Sequence, residues 1–357
     1  MTKGHWLKKA GRNPGSEHSQ CYWLRTSMGL ENLVLQEVES HCTPEQTFKS
    51  HRNVFIQVGQ TMTNIFRALR TPDDAYEYLG YCEGIDHTRQ SLDTIQQFFI
   101  HAIAPDLIQH YAQQKLRITV SFLGKRNYNR YLLEKRLGES LSGKIKLLDN
   151  EQRDAWQEGE LRLRVHLEDD RAYWGLGLAD IPLHRRFWRA IRYTGQVHTP
   201  VAACMARQVE PKDGQVIFDP FCGSGTLLIE SAMLHTKYQH LGHDISQEAI
   251  EIARESAAQA ETDILFEQRD SLLIDPPQVD YYLVSNPPWG DKHEIGETDT
   301  LFYKKLAQLI RKSAGAVLLL PENSMLRLQE EADWEMQEIT QTRIRGKLAY
   351  LLKIKTM

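Results

Sequence analysis

"IFDPFCGSGTLLIE" (217–230) decides how this chain is read. An apolar run ends at the acid Asp219, a tight turn carries Gly223 and Gly225, and a helical pattern starts near Ser224. Glycines at such a turn let the backbone approach a ligand closely. The spacing is not the dinucleotide pattern G-x-G-x-x-G, nor the phosphate loop G-x-x-x-x-G-K-[ST], and no lysine follows to hold a phosphate. Asp219 leads the turn instead, and a carboxylate there suits a ligand that carries an ammonium group.

Working outward, "YQHLGHD" ends at Asp244, nineteen residues after Gly225, and "DILFEQRD" ends at Asp270. Ligands of open parallel sheets bind beyond the carboxyl ends of the strands, where an acid on the second tip accepts from ribose hydroxyls. Asp270 is placed to accept from an adenine amino group. Either acid alone would serve as a helix N-cap. Three acids on three strand tips outline a pocket for a nucleoside carrying an amino acid, and S-adenosylmethionine fits that outline. Further on, "DYYLV" runs into "SNPPWG" (285–290). Two prolines remove two backbone donors, so the strand stops there. The Asn286 side-chain oxygen and the Pro287 carbonyl offer two acceptors for an exocyclic amine. Trp289 offers a flat face for a flipped base.

The strands "QVIFDP", "YQHLGHD", "DILFEQRD", "DYYLVSNPP" and "AGAVLLLP" alternate with helical stretches. That rhythm predicts a parallel sheet covered on both faces. Alternating runs flank Gly346 and predict a terminal hairpin. Upstream, residues 115–178 read β-α-β-β, a small α+β module, and the helical pattern after Ser91 is interrupted near Pro105.

The chain has 357 residues, 41% hydrophobic and 25% charged, a globular balance and long enough for two or three domains. Five cysteines without a Cys-x-x-Cys argue against a disulfide framework or zinc ribbon, and for a reducing, cytoplasmic home; no metal site is expected. The run "AGAVLLLP" is too short to span a bilayer, so no membrane association is expected. Residues 1–200 carry 27 Lys and Arg against 23 Asp and Glu, whereas residues 201–357 carry 16 against 24. Within the first part, 115–146 holds nine basic residues and two acids, and "HRRFWRAIR" (184–192) holds four arginines beside two aromatics. Either cluster alone fits a polyanion partner or a solvated face equally; the presence of two favours the partner.

"DPFCGSGT" followed by "NPPWG" resembles the class I S-adenosylmethionine-dependent methyltransferases that act on base amino groups, over about residues 196–355. The resemblance implies a Rossmann-like seven-stranded domain whose last strand is antiparallel. It implies that Asp219, Gly223 and Gly225 hold the methionine part, Asp244 the ribose and Asp270 the adenine. Cys222, Ile245, Ser271, Asn286 and Thr199, the last on the leading helix "HTPVAACMARQ" (198–208) that packs over the cofactor, complete the cofactor set. Catalysis falls to Asn286, Pro287 and Trp289. Ser246 departs from the family, where a second acid is common. Release-factor glutamine methyltransferases share the Asn-Pro-Pro-aromatic loop, so the N-terminal half must choose the substrate. "GKRNYNR" (124–130) and "PLHRRFWR" (182–189) resemble the THUMP domain and its outgoing linker in RNA-modifying enzymes.

The expected organisation is a flexible arm (1–20), a ferredoxin-like part (21–100), a THUMP RNA-binding domain (101–180), a linker (181–197) and the methyltransferase domain (198–357). By that resemblance Lys125, Arg126, Arg130, Arg185 and Arg186 become phosphate contacts and Tyr128 a stacking candidate, with burial its alternative. The implied activity is methylation of guanosine N2 in RNA, tRNA favoured, by a monomer that does not act on DNA. Its alternatives are 23S rRNA guanine-N2 or adenine-N6 methylation, or an RNA-binding protein with an inactive methyltransferase fold.

Overall fold

The computed structural model describes residues 20–148, 159–189, 191, 193, 195–273, 276–289, 297–331 and 335–356. The expected arm (1–19 of it), Arg192 of the arginine cluster and Gly290 lie outside the described residues. The chain divides into two compact units. One comprises residues 1–25, 38–69 and 73–183; the other comprises 26–37, 70–72 and 184–357.

The elements of the first half, in order, are β1 (Gln20–Arg25), α1 (Glu31–Glu39), β2 (Gln46–Ser50), β3 (Asn53–Val58), α2 (Thr63–Ala68) and β4 (Asp74–Glu83). Then come α3 (Ser91–Phe98), α4 (Ala104–Tyr111), β5 (Lys115–Phe122), α5 (Arg130–Glu139), β6 (Lys146–Leu147), β7 (Glu160–Glu168) and β8 (Arg171–Gly177). All eight strands form one sheet, ordered β2-β3-β1-β4-β8-β7-β5-β6. The sheet therefore does not break near residue 100, where the sequence suggests a boundary. β4 and β8 pair antiparallel and join the two expected parts. The irregularity expected near Pro105 is a π-helical turn, Phe99–Ile103, between α3 and α4. Pro105 lacks an N–H and crowds the preceding turn, which favours such a widened turn over a regular one.

The apolar stripe Leu92, Ile95, Phe99 and Leu107 of these helices packs on Ile118, Val165 and Trp174 of the sheet. β7 is buried along nearly its whole length, and two of its charges are paired: Arg162 with Asp74, and Glu160 with Arg117 of β5 at 3.0 Å. β7 and β8 meet at Asp169, whose φ of 52° is the left-handed conformation that a tight reversal requires.

The second unit continues with α6 (Thr199–Ala206), β9 (Val216–Asp219), α7 (Thr226–Leu234), β10 (Gln239–Asp244), α8 (Gln247–Gln259) and β11 (Leu265–Gln268). After these follow β12 (Tyr281–Ser285), α9 (Glu297–Arg311), β13 (Ala316–Leu320), α10 (Glu322–Glu330), β14 (Glu335–Ile344) and β15 (Lys347–Lys355). The sheet order is β11-β10-β9-β12-β13-β15-β14. β9 to β13 pair parallel, and β15 pairs antiparallel to both β13 and β14. The order reverses between β9 and β12, so a crevice opens at the carboxyl edge. The sequence reading misses one feature: Leu30 and Leu33 share a core with Val201, Met205 and Leu227. The neighbouring strap 70–72 is fastened by Glu37, which accepts from the amides of Arg70 (3.1 Å) and Thr71 (2.8 Å).

Candidate cofactor and amine site

The carboxyl ends of β9, β10, β11 and β12 enclose a cavity of about 760 Å³ in the second unit. Asp219 ends β9 at 2% exposure. Its Oδ1 accepts from Ser285 Oγ at 2.7 Å and from the Phe221 amide at 3.0 Å. Burial, with the Asp244 charge adding to it, pushes the Asp219 carboxyl up to about 7. Asp244 accepts from the Gly223 amide at 2.8 Å and the Ser246 amide at 2.9 Å, one on each oxygen. A carboxylate has about four acceptor positions, so roughly two remain for a ligand. Asp270 accepts from the Leu272 amide at 2.9 Å, and Ser271 Oγ donates to the Pro220 carbonyl at 2.6 Å. Asp219, Cys222, Gly223, Asp244, Ile245, Asp270 and Ser271 all line the cavity. Burial pushes the Cys222 thiol well up, so it is not a ready nucleophile.

The two turn glycines have different jobs. Gly223 has φ 53°, and a side chain there would enter open space in the cavity. Gly225 does not line the cavity. With φ 76°, a Cβ on it would sit 2.8 Å from Phe266 and 3.0 Å from Ala253. The sequence assigns Gly225 to the ligand; the structure assigns it to packing of α7 against its neighbours. Thr199 is corrected in the same way. Its side chain is fully buried, its hydroxyl donates to the His184 carbonyl at 2.6 Å, and it does not reach the cavity.

Asn286, Pro287 and Trp289 line the same cavity. Asn286 Oδ1 is buried and has no hydrogen-bond partner, and neither does Trp289 Nε1. Leaving a buried polar atom unsatisfied costs about 1–3 kcal/mol, and these two belong to residues that line the cavity. Residues the sequence did not single out also contribute. Gln196 bridges Arg189 to Ser224, with 2.7 Å bonds on either side, and Tyr193 meets Ser246, the N-cap of α8, at 3.2 Å. Ile344, Arg345 and Lys347 reach the cavity from the β14–β15 hairpin. A lone polar Gln in "GQVHTP" (195–200) gives no periodic signal, which is why it escapes notice.

The nucleic-acid candidates divide. Lys125 and Arg130 are exposed, the latter lying over the Tyr131 ring at 5.0 Å. Arg126 is half-buried and clamps two loops through the Asp86 (2.7 Å) and Asp169 (2.9 Å) carbonyls. Tyr128 is 7% exposed, edge-on to Phe122, which answers its open reading in favour of burial. Arg185 is half-buried. Arg186 is a correction: its Nε donates to the buried Glu230 at 2.8 Å and its Nη2 to the Arg70 carbonyl at 2.7 Å. Its guanidinium is committed to the interior and not to phosphate. Among the described residues, no helix is long and apolar enough to cross a membrane.

Residues 186–350 match the family UPF0020, described as RMKL-like, methyltransferase domain. The U6 snRNA (guanine-N(2))-methyltransferase THUMPD2 of Bos taurus is 28% identical over 167 residues, 46% of this chain and 32% of that protein. The tRNA (guanine(6)-N2)-methyltransferase of Thermus thermophilus is 30% identical over 201 residues, 55% of this chain and 56% of that protein. The matches thus span between a third and about half of these relatives' lengths. The crystal structure of TrmN from Thermus thermophilus shares the fold, with a TM-score of 0.75 at 20% identity over 95% of this chain and all of that one. Residues 186–350, just under half of the chain, are thus similar to the RMKL-like methyltransferase domain, and the seven-stranded order agrees with that likeness.

Proposed function

We propose that the chain is an S-adenosylmethionine-dependent RNA methyltransferase that modifies the exocyclic N2 amine of a guanosine, with tRNA as the favoured substrate. The observation that carries this reading is the buried, unpartnered Asn286 Oδ1, in the same cavity as the three acids. The residues fit the cofactor. Gly223 leaves open space for close approach, Asp219 suits an ammonium, Asp244 keeps acceptor capacity for ribose hydroxyls, and Asp270 stands at the third tip. When bound, S-adenosylmethionine supplies an electrophilic methyl carbon on a sulfonium.

The chain's own residues prepare the amine. A base amine is a poor nucleophile because its lone pair is delocalised into the ring. Asn286 Oδ1 and the Pro287 carbonyl accept its two N–H groups and favour the tetrahedral nitrogen, whose lone pair is free to attack. Pro287 and Pro288 stiffen the loop, so the acceptors are aligned before the substrate arrives. Trp289 stacks on the extruded base, which offsets part of the few kcal/mol that unstacking costs. No strong base is needed, since the methylated nitrogen is acidic until it gives its extra proton to solvent.

Guanine rather than adenine, and RNA rather than a protein glutamine, are supported by the guanine-N2 RNA methyltransferases among the relatives. The test is to incubate the purified chain with tRNA and labelled S-adenosylmethionine and to digest to nucleosides for mass spectrometry. Label in N2-methylguanosine is expected. Label in N6-methyladenosine, or none, contradicts the reading.

A further inference from the structure

The second-unit cavity is electrically divided. Asp219, Asp244 and Asp270 stand on β9, β10 and β11 or just beyond, one side of the sheet order, whereas Arg345 and Lys347 reach it from the β14–β15 hairpin on the other. Because β15 runs antiparallel to both β13 and β14, β14 points the same way as β13. Its end therefore emerges at the carboxyl edge of the sheet, the same edge as the loop that carries Asn286, and both line the cavity. Arg269, a third cation on the cavity wall, neighbours Asp270 on the acid side and meets Glu267 at 3.0 Å.

The hairpin is held firmly. Thr340 Oγ1 donates to the Gly29 carbonyl at 2.5 Å, and a Cβ on Gly29 would lie 1.7 Å from the Gln341 carbonyl oxygen. Arg343 Nη1 closes the turn on the Gly346 carbonyl at 2.9 Å. Arg345 and Gly346 both have positive φ, 50° and 84°. A two-residue turn of this kind favours Asn-Gly or Asp-Gly, and an arginine in the left-handed conformation carries a steric penalty. The turn thus holds an exposed guanidinium at the cavity mouth, in a position where asparagine would fold more readily.

We propose that Arg345 and Lys347 form a phosphodiester-binding site that grips the backbone of the target nucleotide and sets its base against Asn286 and Trp289. This rests on the RNA methyltransferase reading above. The acid side of the cavity then receives the cationic cofactor and the hairpin side receives the anionic substrate, so each ligand is repelled from the other's place.

The test is the double variant R345N/K347Q, measured beside the unsubstituted chain. Asn suits the turn, so the melting temperature is expected to hold. RNA affinity measured by anisotropy should fall about tenfold, and the slope of log K against log salt should flatten by about 1–2. KM for tRNA should rise while S-adenosylmethionine affinity stays within twofold. Unchanged RNA affinity, slope and KM would overturn the proposal, and so would a loss of cofactor affinity in their place, which would put the guanidinium on the cofactor carboxylate. If the unsubstituted chain transfers no methyl group to RNA yet the variant weakens RNA binding as stated, the phosphate site stands and the activity reading falls. An unsubstituted chain that does not bind RNA overturns both.

Discussion

Asp219 is a cavity residue whose chemistry responds to pH. Its folded-state carboxyl is pushed up to about 7, above the ordinary aspartate value of about 3.9. Without ligand it binds a proton more tightly folded than unfolded, so its contribution to stability is largest below about pH 4 and declines as pH rises to about 7. An ammonium ligand favours the ionised form, so binding releases that proton below pH 7. Calorimetric titrations with S-adenosylmethionine should therefore show affinity falling as pH drops from 7 to 5.5, by up to about tenfold per unit, with Asp219→Asn flattening the dependence. An identical profile in that variant would assign the titration to another group. At Trp289 the expected role is a stacking plate worth about 1–3 kcal/mol per base. Trp289→Phe should keep most of the turnover and Trp289→Ala should lose about tenfold or more; equal rates would remove the plate.

At the scale of elements, α7 shows what the sequence discloses and what it hides. Strand, turn and helix are legible in "IFDPFCGSGTLLIE" because apolar runs and glycines punctuate them directly. What each glycine faces is not, since Gly225 answers to Phe266 and Ala253, distant in sequence. The same holds for Arg186. A run of arginines looks like a phosphate grip, but charge along a sequence does not say which way a side chain points. A contrary signal is present, the lone Glu230 inside an apolar helix, which must find a cation when buried. Arg70 and Arg186 both reach it, at 2.7 and 2.8 Å. Arg186→Met leaves Glu230 with Arg70 alone, so it should destabilise the fold by about 1.5–3 kcal/mol in denaturant titrations and leave the salt slope of RNA binding unchanged. A stable variant with a flattened slope would return Arg186 to the phosphate-contact set.

Across the whole molecule, the parallel rhythm and terminal hairpin are readable because regular periodicity repeats over many residues. The membership of 26–37 and 70–72 in the second unit is not, because short segments join a remote core through a few contacts such as Leu30, Leu33 and Glu37. Of the basic run 115–146, Arg117 is buried against Glu160, whereas Lys125, Arg130, Lys135, Lys144 and Lys146 are exposed. Lys125→Ala with Arg130→Ala is thus expected to weaken RNA binding and reduce its salt slope by about 1–2, without changing cofactor affinity. An unaltered slope would remove this strip from the RNA surface.

The account depends most on Asn286, and one comparison tests it most directly: turnover on tRNA and calorimetric S-adenosylmethionine affinity for Asn286→Ala beside the unsubstituted chain. Turnover should fall by about 10²-fold or more while the dissociation constant moves less than threefold, as befits a polar group aimed at the reacting atom. Equal losses of both, or full turnover without the amide, would contradict the assignment of its oxygen to the amine.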